Sequence, residues 1–181
     1  MSAAIRPRIA TASLAGCFGC HMSLLDMDEL LIELAPRLQF DRSPLTDIKT
    51  LGDCDIGLIE GGVCNAENVE TLREFRARCR TLVAVGACAI NGGIPALRNN
   101  IPVEECLREA YVEGLGVSGG HIPSDPELPL LLNRVHPIAE VVAVDVFIPG
   151  CPPPADALVT ALTQLLGGRP VALSYEQIHY D

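Results

Sequence analysis

The sequence predicts an α/β fold built on a doubly wound parallel sheet. Apolar, β-branched runs alternate with helical stripes through most of the chain, the order expected when helices cover both faces of such a sheet. Cysteines fall just past several of those runs, and an open parallel sheet gathers its ligand-binding loops along that one edge. At 181 residues the chain suits one domain, read as 1–181, with no repeat, low-complexity tract or linker to divide it.

The first strand is expected over Ile5–Leu14, interrupted early by Pro7. Met27, Leu30, Leu31, Leu34 and Ala35 form a helical stripe that stops at Pro36. A short second strand fits Leu38–Phe40, and a third fits Asp55–Val63, running into Gly61-Gly62. Asn68–Arg80 reads as a helix capped by Asn65 or Asn68, with Glu67 and Glu70 near its positive end. Thr81–Val85 is a near-continuous apolar run, as in buried parallel strands. Pro102 opens a helix over Val103–Glu113. The last strand is expected over Val141–Ile148, and the closing helix over Ala155–Leu166, stopped by Gly167-Gly168. Between them, Gly114–Glu140 breaks the rhythm with four prolines, and a connection this long is usually functional or an interface.

Composition narrows the function. A formal net charge of −10 argues against a nucleic-acid partner. No apolar run approaches the roughly 18 residues of a membrane span, and Met1–Arg8 has no apolar secretory core. The expected compartment is the cytoplasm, where eight cysteines stay reduced and serve metals more readily than disulfides. Hydrophobic residues make up 49% of the chain, charged ones only 20%, and mean hydropathy is +0.30. That surplus predicts a surface covered by another subunit.

The chemistry concentrates in Cys17 and Cys20, Cys88, and Cys151, each just past a predicted strand. A Cys-x-x-Cys pair holds one metal or cluster from a single turn, and Gly16 and Gly19 let the backbone approach it closely. Gly86 before Cys88 and Gly92-Gly93 after it permit a tight loop, while Pro149, Pro152 and Pro153 stiffen the chain around Cys151. One pair plus two single cysteines suits a [4Fe–4S] cluster better than a two-knuckle zinc site, though zinc stays open. A redox dithiol leaves Cys88 and Cys151 unexplained. Cys79 and Cys106 fall on apolar helix stripes and read as core, and Cys54 precedes a strand at the wrong edge. Cys64 is a fifth candidate by position alone. His21 reads as lining the site, and Glu60 as facing it or as a capping group.

Together, Gly16-Cys17-Phe18-Gly19-Cys20, Glu60-Gly61-Gly62, Gly86-Ala87-Cys88 with Gly92-Gly93, and Pro149-Gly150-Cys151-Pro152 resemble the small subunit of [NiFe] hydrogenases. The resemblance runs from about Ile9 to Leu166. It implies a flavodoxin-like domain whose Cys17, Cys20, Cys88 and Cys151 hold a proximal [4Fe–4S] cluster at the C-terminal strand edge. It also implies that no catalytic residue lies on this chain, since nickel and iron belong to a large-subunit partner. No cysteine follows Cys151 and only His179 remains, so a single cluster is expected. Cys20–Asp26, Cys-His-Met-Ser-Leu-Leu-Asp, resembles the cytoplasmic NAD-reducing bidirectional group. The implied further partners are diaphorase subunits with iron–sulfur clusters, FMN and an NAD site. The related cluster subunit of complex I resembles the later motifs, but its first loop has adjacent cysteines. A flavin-binding flavodoxin-like module is the other alternative, and Thr11 and Ser13 make a poor phosphate loop for it.

Overall fold

The computed structural model describes residues 6–178. In chain order the elements are β1 (Arg8–Ser13), α1 (Gly19–Leu25), α2 (Glu29–Leu34), β2 (Gln39–Phe40), β3 (Cys54–Glu60), β4 (Val63–Asn65) and α3 (Ala66–Arg78). They continue with β5 (Cys79–Val85), α4 (Gly86–Asn91), α5 (Val103–Tyr111), β6 (Leu131–His136), β7 (Val146–Ile148) and α6 (Ala155–Leu166). Five strands pair in parallel in the order β2-β1-β3-β5-β7, the doubly wound order of flavodoxin-like folds. The strand order reverses at β1, so the loops after β1 and β3 flank the place where such sheets bind ligands.

Helices cover both faces. On one side Leu24 of α1 and Leu158 and Leu162 of α6 pack on Ile9, Ile56, Leu58, Val83, Val85 and Ile148. On the other, Leu72 and Phe75 of α3 lie fully buried against Ala10, Ile59, Leu82 and Ala84. Burying a side chain of that size contributes about 1.5–3 kcal/mol. The α3 helix starts where the Asn65 side chain accepts the Asn68 N–H at 2.8 Å, and Arg76 and Arg78 suit its negative end.

Several boundaries differ from expectation. The strand predicted over Asp55–Val63 turns at Gly61, whose φ of +85° only glycine adopts easily, and resumes as β4. A Cβ there would also lie 2.7 Å from the Leu14 carbonyl carbon. β4 pairs antiparallel with β6, so the long connection contains a strand. The helix expected over Met27–Ala35 starts only at Glu29, after Asp28 (φ +48°) breaks the chain between it and α1, and is observed as α2. The helix predicted to Arg80 ends at Arg78, and Cys79 begins a strand in place of closing a helical stripe. The last strand shrinks to Val146–Ile148 because Val141 and Val142 both donate to the Ile138 carbonyl, winding a helical turn first. Ile5 and His179 lie outside the described residues.

Candidate metal centre

All four singled-out cysteines sit on loops or helix starts at the C-terminal edge of the sheet. After β1, Leu14 donates to the Glu60 carbonyl at 2.9 Å, and Ala15 and Gly62 exchange two backbone hydrogen bonds. These bonds lock the Cys17 loop onto the loop after β3. Phe18 takes a left-handed conformation (φ +67°) and stacks its ring on His21, 4.6 Å between centroids. α1 then starts at Gly19, which places Cys20 in its first turn. Cys88 sits in α4, directly after β5, and Cys151 follows β7 within Pro149–Pro154.

Cross-links between these loops join residues of the separate motifs, pairings the sequence did not show. The Ala87 N–H donates to the Gly150 carbonyl at 2.8 Å, tying the Cys88 turn to the Cys151 loop. Ser23 Oγ donates to the Pro153 carbonyl, tying α1 to the same loop across 130 residues. Behind Cys88, Arg98 and Asn99 bind the backbone of β6: Arg98 donates to Leu132 and Asn133 carbonyls, and Asn99 bonds both polar groups of Val135.

Three glycines leave room that a side chain would fill. A Cβ on Gly86 (φ +82°) would collide with Cys20 Sγ and approach the Gly150 carbonyl oxygen at 3.4 Å. One on Gly93 (φ +49°) would lie 2.8 Å from Cys88 Sγ. One on Gly19 would lie 3.2 Å from Cys17 Sγ and 3.9 Å from the Pro152 ring. The sulfurs of Cys17, Cys20 and Cys88 therefore each lie against bare backbone.

The thiols also sense one another's charge. Burial pushes the Cys20 thiol pKa up, and the Glu60 carboxylate and the Cys88 and Cys17 thiolates push it further. Burial raises Cys88 as well, with Cys151, Cys17 and Glu60 adding to it. All four are free; Cys17 and Cys151 are exposed, Cys20 and Cys88 half-buried. Among the described residues no three His, Cys, Asp or Glu side chains close to the spacing that would hold a metal ion.

Glu60 and His21 both belong to this edge. The Glu60 carboxylate accepts the Cys20 N–H at 2.9 Å through Oε2 and meets His21 Nδ1 at 2.7 Å through Oε1. His21 Nε2 lies 2.8 Å from Thr11 Oγ1, which lies 2.7 Å from Ser43 Oγ. All four side chains are buried. Burial alone would raise the Glu60 pKa, but hydrogen bonding and charge from His21, with help from Ser13 and Cys20, hold it below the ordinary value. An ionised carboxylate only accepts, so the His21 Nδ1–H donates to Glu60 Oε1. Nothing in the local sequence marked Thr11 and Ser43 as partners of this histidine.

Cys64 lies in β4, where its N–H donates to Asn68 Oδ1 at 3.2 Å and its Sγ sits 3.4 Å from the same oxygen. Cys54 and Cys79 are buried at the opposite sheet edge, and Cys106 is only half-buried on α5.

Residues 17–165 match the family described as NADH ubiquinone oxidoreductase, 20 Kd subunit. The chain is 46% identical over 178 residues to the NAD-reducing hydrogenase HoxS subunit delta of Cupriavidus necator, covering 96% of this chain and 85% of that one. The chain belongs to the 20 Kd-subunit family, in its NAD-reducing [NiFe] hydrogenase branch. Its fold matches the crystal structure of an NAD+-reducing [NiFe]-hydrogenase in the H2-reduced state, with a TM-score of 0.96 and 59% identity. That match covers 98% of this chain and 100% of the other. One polypeptide of the F420-non-reducing hydrogenase of Methanothermobacter thermautotrophicus is 38% identical over 171 residues, which cover 92% of this chain and 55% of that one. A [NiFeSe]-hydrogenase from Dm. baculatum shares the fold at 18% identity, with a TM-score of 0.59. No helix among the described residues is long and apolar enough to cross a membrane.

Proposed function

We propose that this chain is the electron-transfer small subunit of a cytoplasmic NAD-reducing [NiFe] hydrogenase, with Cys17, Cys20, Cys88 and Cys151 holding one [4Fe–4S] cluster. Its partners are a nickel-bearing large subunit and diaphorase subunits with FMN, an NAD site and further clusters. The observation that supports the reading is the placement of four cysteines on three loops at one sheet edge, with Gly19, Gly86 and Gly93 leaving room beside the sulfurs of Cys17, Cys20 and Cys88. The residues fit the group. An all-thiol donor set suits iron–sulfur chemistry, and thiols spread around a space suit a cubane better than a single zinc ion.

When bound, such a cluster supplies one-electron redox chemistry, with a potential set by burial, hydrogen bonds and charge. The chain's own residues do the rest. Glu60 and His21 fix the backbone at Cys20, and Ser23 and Ala87 hold the Cys151 loop against it. The buried polar row from Glu60 to Ser43 fills the space behind the loop and keeps bulk water from that side. Cys17 and Cys151 are exposed, as are the apolar Met22 and Leu25 of α1 and Ile94 and Leu97 after Gly93, a surface that a partner subunit would cover.

Serine at Cys17, Cys20, Cys88 or Cys151 is expected to remove or convert the cluster, because a hydroxyl is a harder ligand than thiolate. Serine at Cys64 is expected to leave about four irons and four sulfides per chain. The measurement is iron and acid-labile sulfide per chain, with the reduced-state EPR spectrum. Cluster loss in Cys64→Ser with retention in Cys88→Ser would overturn the ligand set.

A further inference from the structure

Cys54 and Cys79 open the two central strands at the sheet edge opposite the candidate centre, and the proposed function uses neither. They are registered partners in the parallel pairing of β3 with β5. Both side chains lie on the α3 face, in one buried cluster. Neighbouring strands run about 4.8 Å apart, inside the roughly 4.4–6.8 Å Cα separation that a disulfide spans. The Cys79 sulfur leans towards β3: a Cβ on Gly57 would lie only 2.8 Å from it. A bare glycine on the neighbouring strand is what gives that sulfur room.

The two thiols are also unlike. A hydrogen bond from the Cys79 thiol lowers the Cys54 pKa against the effect of burial. The same bond, with burial, raises that of Cys79. Cys54, whose thiol donates to the Ile56 carbonyl at 3.5 Å, is the slightly more exposed of the two (6% against 3%), which gives it the attacking role and Cys79 the resolving one. Cys54 is the first residue of its strand, and its chain neighbour Asp53 has a side chain 89% exposed. Fraying of one strand end is enough to bring a small oxidant to it.

We propose that Cys54 and Cys79 form a peroxide-responsive dithiol that closes to a disulfide between the starts of β3 and β5. Cys54 gives up its proton and its sulfur attacks one oxygen of hydrogen peroxide; the O–O bond breaks, a sulfenic acid forms on Cys54, and the departing hydroxide takes up that proton as water. Cys79 sulfur then attacks Cys54 sulfur, the S–O bond breaks, and the hydroxyl departs as water with the Cys79 proton. Two thiols and one peroxide give one disulfide and two waters. The thiols lose two electrons and the peroxide gains them. No cysteine of the candidate centre takes part.

The test treats the assembled complex with hydrogen peroxide and alkylates free thiols in denaturant. Disulfides are then reduced, relabelled with an isotopic reagent and located by peptide mass spectrometry. The expected result is the second label on Cys54 and Cys79 in equal amounts. It should disappear from Cys79 in Cys54→Ser and persist at both positions in Cys106→Ser. If Cys54→Ser fails to assemble, Cys79→Ala reads the pair from the other side, and Cys54 should lose the second label. The proposal falls if both thiols keep the first label at peroxide levels that oxidise Cys106. It also falls if Cys79 gains the second label equally in Cys54→Ser.

Discussion

The two edges of the central sheet carry the same residue type in opposite settings. At the C-terminal edge, four cysteines sit on helix starts and on glycine- and proline-bound loops, exposed or half-buried, beside a buried carboxylate. At the N-terminal edge, Cys54 and Cys79 lie on regular strands under α3, rimmed by arginine–carboxylate pairs: Arg78–Asp53 at 3.3 Å, Arg80–Asp55 at 3.5 Å and Arg76–Asp145 at 2.6 Å. The first edge gathers cysteines from distant loops, and the second registers two across one strand pair. The lesson is that backbone decides what a cysteine does. Loops at helix starts leave sulfurs open to a bulky outside group, whereas a strand register sets two of them side by side in the core.

Glycine substitutions on the two edges test that lesson most severely. Alanine at Gly86 meets a positive φ of +82° and collides with Cys20 Sγ. The backbone conformation alone costs about 1–3 kcal/mol, and the sulfur must move, so iron per chain should fall steeply. Alanine at Gly57 also meets a sulfur, Cys79 Sγ at 2.8 Å, and Leu82 Cδ1 at 3.1 Å. Overpacking there costs about 1–3 kcal/mol, but iron per chain should match wild type. Urea denaturation and iron analysis of both variants check it. Iron loss in Gly57→Ala with normal iron in Gly86→Ala would reverse the comparison.

A smaller effect is expected at Ser23. Its hydroxyl donates to the Pro153 carbonyl between α1 and the Cys151 loop. Ser23→Ala leaves that carbonyl unpaired, at a cost of about 1–3 kcal/mol. The loops should then release iron to a chelator faster than wild type, while the iron content of freshly prepared protein stays normal. An unchanged chelation rate would mean that the tie supports the fold and not the loop.

Periodicity made the parallel sheet and most helices legible, and α6 begins and ends where its stripe and double glycine put it. The cysteines stood out because each follows an apolar run. What stayed hidden has one physical cause: contacts between distant residues leave no local pattern. Arg98 and Asn99 stabilise β6 from a 3-10 segment more than thirty residues away. The Thr11–Ser43 pair behind His21 likewise joins β1 to the loop after β2. Cys79 reads as helical in sequence because its apolar neighbours fit either period, and tertiary pairing with β3 decides for strand. Gly61 is visible as a glycine, but its close approach to Leu14, which splits the third strand, is not.

The smallest expected effect belongs to the charges of the N-terminal edge. Asp145 Oδ2 accepts the Leu82 N–H at 2.7 Å and an Arg76 N–H at 2.6 Å. Partial burial would raise its pKa, but the Leu82 hydrogen bond and then Arg76 outweigh it and hold the carboxyl below its ordinary value. A carboxyl depressed by folding stabilises the folded state above its unfolded pKa, about 3.9. That stabilisation fades as pH falls from there through the lower folded value. Asp145→Asn has no carboxyl to titrate, so its unfolding free energy should fall less steeply below about pH 4 than that of wild type. The side chain is 44% exposed, and water and salt screen the Arg76 pair. The loss at pH 7 should therefore stay within about 1 kcal/mol. Urea titrations of the isolated chain between pH 7 and pH 3 measure both quantities, and iron per chain at pH 7 should not change. Equal acid slopes in the two proteins would mean that Asp145 gains nothing from ionising in the fold, leaving the arginine pairs of this edge as solvated contacts without energetic weight.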